Sequence, residues 1–302
     1  MNITWKKLGL TAASASALFL AACEDGTDTT EDTNGEEATG GTLEGEIDLA
    51  YVSWDSEIAS TNVIGQVLED VGFDVNLIAL DNAIMWEAVS TAEADAMVSA
   101  WLPGTHESQY ENYSDDMDHL GPNLEGAKIG LVVPEYMDVD SIADLTDEAG
   151  QTVTGIEAGA GVVAAAERAV NEDYDNLSDW NVQTSSSGAM MTQLADAYDN
   201  EEDIVVTGWS PHWKFQAYDL KYLEDPEESF GGAETIDTFT REGLEDDMPE
   251  AYQILDNFYW EAADMEQIML EMSEGADPAE AARTWIDNNQ DKVSEWTEGV
   301  GE

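Results

Sequence analysis

Three tryptophans sit where a side chain could do chemistry rather than fill a core. Trp54, Trp101 and Trp209 each follow a short strand-like run, and each precedes residues unsuited to a helix core: Asp55-Ser56, Leu102-Pro103 and Ser210-Pro211. The C-terminal ends of strands are where open α/β sheets place their ligand crevices. Trp86, Trp260, Trp285 and Trp296 lie instead in amphipathic helical patterns and read as core, while Trp180 and Trp213 fit either core packing or the rim of a cleft. Several tryptophans converging on one site suit a trimethylammonium group. That group is positively charged but has no N–H to donate, so π-faces must hold it, and each face contributes roughly 0.5–2 kcal/mol. Three faces supply about 6 kcal/mol at best, whereas micromolar affinity needs about 8, so a second anchor is required.

Thr154-Gly155-Ile156-Glu157-Ala158-Gly159-Ala160-Gly161-Val162 offers that anchor: a strand running through a Gly-rich turn into a helix. Free N–H groups at a helix start bind anions such as a carboxylate. Such turns also serve as plain connections, but this one occupies the slot in the second half that Trp54 fills in the first. His106, five residues after Trp101, could donate a further hydrogen bond to the same anion or be a surface histidine in a polar loop; His119 and His212 have weaker claims. The histidines are not spaced as metal ligands, and nothing calls for a metal or a cofactor.

The elements that must carry these residues form a repeated rhythm. Strand 46–52, helix 56–71 stopping at Gly72, strand 73–80, helix 82–92 and strand 96–101 alternate as in a parallel α/β layer. Strand 152–156, helix 161–171, strand 180–185, helix 188–198 and strand 204–209 repeat it. The third strands end in similar phrases, Ser99-Ala100-Trp101-Leu102-Pro103 and Thr207-Gly208-Trp209-Ser210-Pro211. Strand 128–134 leaves the first half and strand 236–240 returns from the second, while two acidic helices, 249–272 and 278–296, pack back on the first. The expected architecture is an α/β two-lobed clamp with two crossover segments and a ligand in the interlobe cleft. Residues 46–135 with 241–302 form lobe 1, and 136–240 form lobe 2.

The amino-terminal end states a compartment. Lys6 and Lys7 precede an apolar run from Leu8 to Leu20, too short for a membrane helix, which closes with Leu20-Ala21-Ala22-Cys23. Residues 1–22 read as a cleaved signal peptide. Cys23 is the sole cysteine and can form no disulfide within the chain. Residues 23–45, rich in Thr, Glu, Asp and Gly, read as a flexible acidic tether. The formal net charge is −58, from 67 acidic against nine basic residues spread along the whole chain, which excludes a nucleic-acid partner. Self-repulsion on this scale is relieved at about 1 M salt, where the Debye length is about 3 Å, and points to a halophilic source.

Four segments together are similar to the binding motifs of one family: Ala50-Tyr51-Val52-Ser53-Trp54-Asp55-Ser56-Glu57, Ser99 to His106, Gly155 to Gly161, and Gly208-Trp209-Ser210-Pro211-His212-Trp213. They resemble the Opu-type glycine betaine-binding lipoproteins of ABC importers, whose fold is a type II periplasmic-binding-protein clamp. The resemblance implies a tryptophan prism of Trp54, Trp101 and Trp209 around the ammonium. It implies a carboxylate site from His106 and the backbone amides of Gly161 and Val162, and a lipid on Cys23 anchoring the chain outside the cell membrane. It also implies ABC permease subunits as partners, with the binding protein itself a monomer. Proline betaine is the nearest rival ligand, followed by choline, carnitine and ectoine. An enzyme using Asp55, Glu57 and His106 lacks a nucleophile, a metal or a cofactor loop. A sensory domain would normally need a fused transmembrane segment, which the sequence lacks.

Overall fold

A computed structural model describes residues 45–300, so the expected signal segment, Cys23 and nearly all of the expected tether lie outside the described residues. The first half runs β1 (Glu46–Tyr51), α1 (Asp55–Val71), β2 (Asp74–Ala79), α2 (Asn82–Ser90), β3 (Ala96–Leu102), α3 (Glu107–Tyr113) and β4 (Met117–Pro134). The second continues with β5 (Thr152–Thr154), α4 (Gly161–Arg168), β6 (Asn181–Gln183), α5 (Ser187–Asp199), β7 (Val205–Ser210), α6 (Lys214–Ala217) and β8 (Leu220–Tyr222). The chain ends with β9 (Glu234–Arg241), α7 (Leu244–Asp247), α8 (Pro249–Asn257), α9 (Ala262–Ser273), α10 (Pro278–Asn288) and α11 (Gln290–Trp296).

Strand pairing reproduces the repeat. β1 pairs in parallel with β2 and β3, and β9 closes that group antiparallel to β3. β5 pairs in parallel with β6 and β7, and β4 closes the second group antiparallel to β7. Each half is therefore three parallel strands in the order second–first–third plus one antiparallel strand from a crossing segment. β4 serves both groups: its residues from Met117 to Ala127 pair with β9, and those from Lys128 to Pro134 pair with β7 and β8. By pairing, then, Lys128–Pro134 go with the second group and Glu234–Arg241 with the first, so the crossings lie earlier in sequence than the expected breaks after 135 and 240. β4 begins eleven residues before the expected strand because Gly121, Pro122 and Gly126 interrupt its alternation, and its pairing with β9 shifts register around those residues.

Local chemistry explains the element ends. α1 carries Asp55 and Glu57 in its first turn, where the helix dipole favours acids. It buries Val63, Ile64, Val67 and Leu68 and stops at Gly72, whose φ of 117° is left-handed and whose N–H reaches back to Leu68 and Glu69. β3 is buried at every position, as a central strand covered on both faces should be. The expected helix 161–171 is α-helical only to Arg168 and widens into a π-turn over Ala169–Asp173.

The two expected carboxy-terminal helices are four, because the chain leaves the helix at Phe258, and again at Asn289 between α10 and α11. Trp260 thus lies in a connection, where its N–H donates to the Asn123 carbonyl and ties the region to β4. Phe258, Trp260, Trp285 and Trp296 form one buried aromatic cluster with centroids 4.9–5.8 Å apart. α9 and α10 pack on α1, and Arg283 of α10 forks onto Asp70 at 2.6 and 3.0 Å. Trp86 is buried in α2 and Trp180 in the second half, its indole N–H on the Thr146 carbonyl. Among the described residues no helix is long and apolar enough to cross a membrane.

Candidate functional site

Trp101 and Trp209 are the penultimate residues of β3 and β7, and Trp54 is the N-cap of α1, three residues past β1. A cis peptide follows both strands, Leu102-Pro103 and Ser210-Pro211. The three indoles, each no more than 6% exposed, line one cavity of about 280 Å³ together with Ser56, Thr105, Ile129, Ile156, Ala160, Gly161 and Val162. The two halves supply the walls jointly.

The Gly-rich turn leads into α4. α4 starts at Gly161 without a side-chain cap. The Ala160 N–H donates to the Glu157 carbonyl, and those of Val163 and Ala164 donate to Ala160, but the N–H groups of Gly161 and Val162 donate to nothing among the described residues. Two free amides at a helix start are an anion receptor. A Cβ on Gly161 would sit 2.1 Å from the Thr105 carbonyl oxygen, so only glycine lets the two halves meet here. Glu234 holds the opposing turn, accepting from the N–H groups of Gly104 and Thr105 at 2.8 and 2.6 Å.

His106 lies beside the cavity rather than among the residues that line it. It is fully buried behind Trp54, 5.9 Å between ring centroids, and is absent from the cavity lining. Its Nδ1 accepts from the Trp101 N–H at 3.0 Å, which leaves the ring proton on Nε2, and Nε2 has no partner among the described residues. Burial pulls its pKa down to about 3, so the ring is neutral. His212 is likewise buried, with Nδ1 accepting from the Lys214 N–H and a pKa lowered to about 4, mainly by burial and then by Lys214. His119 pairs with Asp237 at 2.6 Å and stacks on Phe239, away from the cavity.

The sequence reading weighed Asp55 and Glu57 only as an enzyme's acid–base set and missed the contacts that they, Glu157 and Lys214 make with the indoles. Glu57, 1% exposed, accepts from the Trp101 indole N–H at 2.7 Å and from the Ser56 hydroxyl at 2.5 Å. Burial pushes its carboxyl up to about 7 against those two hydrogen bonds, and the charge of Asp55 adds to the rise. Glu157 of the second half accepts from the Trp54 indole N–H. Asp55 crosses the other way, accepting from the Ser187 hydroxyl at 2.9 Å and the half-buried Trp213 indole at 3.2 Å. Burial alone would raise Asp55, but His212, at 3.7 Å, and these donors hold it below the usual carboxylate range. Lys214 is fully buried, its Nζ 4.4 Å from the Trp209 ring centroid and 3.3 Å from the Trp209 carbonyl, and among the described residues it pairs with no carboxylate. Burial drives its pKa well below the ordinary lysine value, with Asp55 opposing. In a chain with 67 acids, no sequence signal separates Glu57 and Glu157 from the rest. Among the described residues no cluster of His, Cys, Asp or Glu could hold a metal ion.

Residues 45–288 match the family described as the substrate binding domain of ABC-type glycine betaine transport systems. A curated relative, the glycine betaine/carnitine transport binding protein GbuC of Listeria monocytogenes, is 49% identical over 58% of this chain and 57% of its own length, so the chain spans a little over half of that relative. The crystal structure of lactococcal OpuAC, closed and complexed with glycine betaine, superposes with a TM-score of 0.82 at 53% identity over 84% of this chain and all of that one. An ABC-transporter choline binding protein in complex with choline superposes at 0.79 with 25% identity, over 84% of this chain and 92% of that one.

Proposed function

Because the chain belongs to the family of substrate-binding domains of ABC-type glycine betaine transport systems, we propose that it captures glycine betaine, or a betaine of the same shape, outside the membrane and delivers it to the permease of an importer. The observation that carries this reading is the convergence of Trp54, Trp101 and Trp209 with the free amides of Gly161 and Val162 on one small cavity. The indoles take the trimethylammonium through their π-faces, and the amides take the carboxylate. His106 serves this site from behind: its neutral ring fixes Trp101 through the backbone, and its Nε2–H remains available to the carboxylate end of a bound ligand. Capture needs no bond to be made or broken. Asp55 and Glu57 are occupied by hydroxyl and indole donors rather than arranged as an acid–base pair, which supports a carrier over an enzyme.

The two strand groups act as lobes that pivot on the two crossings, β4 near Ala127–Lys128 and the segment between β8 and β9. Contacts between the lobes favour the closed form: Asp55 with Ser187 and Trp213, Trp54 with Glu157, and the Asn82 amide with the Gly159 carbonyl at 3.3 Å. The chain is anchored by a lipid on Cys23, with residues 24–45 as tether. In molar salt its acidic surface would be screened, since the few cations are already engaged. Arg168, Lys221, Arg241, Arg283 and Lys292 pair with acids, and Lys128 sits over Tyr222. Thermal stability should therefore rise between low and molar NaCl, and a flat or falling melting temperature would count against a halophilic habitat.

Titration against glycine betaine, proline betaine, carnitine and choline in molar salt, followed by tryptophan fluorescence and calorimetry, tests the reading. Choline lacks a carboxylate and leaves two buried amides unpaired, a loss of about 1–3 kcal/mol, so it should bind at least about fivefold more weakly than glycine betaine. Equal affinities would remove Gly161 and Val162 from the site.

A further inference from the structure

The indole N–H groups of the chain divide by place. Among the described tryptophans, those packed in the lobes donate to backbone carbonyls (Trp180 to Thr146, Trp296 to Tyr259) or to nothing (Trp86, Trp260, Trp285). Among the described tryptophans carboxylate acceptors occur only at the cleft, Glu157 on Trp54, Glu57 on Trp101 and Asp55 on the rim residue Trp213, while the cleft indole of Trp209 has no partner. Glu57 is fully buried, and an ionised carboxylate in that position costs the fold much unless something offsets it. Ser56 and Trp101 give it two hydrogen bonds, but no cation among the described residues pairs with it.

We infer that Glu57 and Glu157 are specificity-determining residues that tune two cage indoles for a cationic guest, through the carboxylate that each places on an indole N–H. The inference rests on the betaine-binding reading above and goes beyond the tryptophans that touch the ligand. An N–H···carboxylate bond pushes electron density into the indole and deepens the negative potential of its face. It also sets a formal negative charge at the edge of each indole, among buried side chains where screening is weaker than in water. The cation of the guest then supplies the counter-charge that the protein does not give to Glu57. Both acids act through the indoles and are positioning residues.

Replacing each acid by glutamine separates charge from shape, because the amide oxygen can still accept the indole N–H. Wild type, Glu57→Gln and Glu157→Gln would be titrated at pH 8.5 with glycine betaine and with 3,3-dimethylbutanoate, in which carbon replaces the quaternary nitrogen. The inference expects each variant to bind glycine betaine about tenfold more weakly and the isostere without the cationic centre as well as wild type or better. An equal loss for both ligands would make the acids merely structural and overturn it, as would unchanged betaine binding. Glu157 is half-buried, so Glu157→Gln decides the matter alone if Glu57→Gln does not fold, with thermal melting as the check. A wild-type chain that ignores glycine betaine would overturn the transport reading itself, an outcome distinct from either.

Discussion

The two halves share one strand plan and divide the work of the cavity unequally. The first half presents Trp54 and Trp101, whose indole N–H groups both end on carboxylates. The second presents Trp209, whose indole N–H has no partner and whose ring lies 4.4 Å from the Lys214 amine, together with the free amides of Gly161 and Val162. The carboxylate-backed indoles thus belong to the first half, although Glu157 itself comes from the second, and the free amide donors belong to the second. A zwitterion with its two charges close together matches that division, whereas a simple cation uses only one side. A duplicated fold can therefore become a dipolar receptor without changing its topology, since the residues at strand ends and their immediate supports are enough.

The comparison breaks first on the tryptophans. Trp54→Ala and Trp101→Ala each remove a polarised face and leave a carboxylate without its indole donor. Each should weaken glycine betaine binding by about 3 kcal/mol, or roughly 100-fold. Trp209→Ala removes an unpolarised face and should cost nearer tenfold. Calorimetric titration of the three variants ranks the faces, and equal losses would mean that the supports behind them do not matter.

Much of this molecule was legible from residue order. The three-strand rhythm, the stop at Gly72 and the matching phrases around Trp101 and Trp209 follow from local periodicity and turn chemistry, and the structure contains each of them. Trp86, Trp285 and Trp296 stand in helices and the core as their patterns require. Pairing between distant segments was not legible. That β9 belongs to the first strand group and that β4 begins at Met117 depend on contacts across more than 100 residues, and the glycines and proline of β4 hide its alternation. The site was legible at its surface and opaque behind it. A tryptophan at a strand end is conspicuous, whereas Glu57 is one acid among 67 until its oxygen is seen on the indole of Trp101. His106 was noticed for its spacing, but burial and the bond from the Trp101 N–H decide what its ring does.

A pH titration sharpens the comparison at intermediate scale. Glu57 is raised to about 7 by burial, so near neutrality part of the population carries a proton there. Relative to the unfolded chain, the neutral acid contributes stability below the ordinary value of 4.5, and this is lost as pH rises through about 7. Ligand binding runs the other way: an arriving ammonium favours the carboxylate and expels the proton. Glycine betaine affinity should therefore rise between pH 5.5 and 8.5, by no more than about tenfold per unit, with proton release measurable by calorimetry in buffers of different ionisation enthalpy. Of the groups around Glu57, Ser56 and Trp101 do not titrate in this window, and Asp55 stays ionised throughout. His106 and His212 stay neutral above about pH 5. The slope should vanish in Glu57→Gln apart from any share due to Lys214. Affinity that falls with pH would contradict a carboxylate behind Trp101.

The smallest expected effect concerns Lys214 and tests the other wall. A protonated lysine 4.4 Å from the Trp209 ring, although outside the cavity lining, would draw on the electron density of that ring and repel a cationic guest, so a lysine shifted toward the neutral amine suits the site. Burial drives it that way, and Asp55 is the one charge opposing. Lys214→Met keeps the length of the side chain and removes the amine, together with its weak contact to the Trp209 carbonyl at 3.3 Å. At pH 8.5 the variant should bind glycine betaine within about twofold of wild type, and its melting temperature should hold or rise, because an unpaired buried amine is exchanged for an apolar group of similar volume. As pH falls the two proteins should diverge. Wild-type lysine gains charge against the guest and methionine cannot, so any pH dependence that survives Glu57→Gln should disappear in the double variant. A residual slope there would place the titrating group outside both walls, and a large loss of affinity at pH 8.5 would show that the lysine supports the Trp209 face.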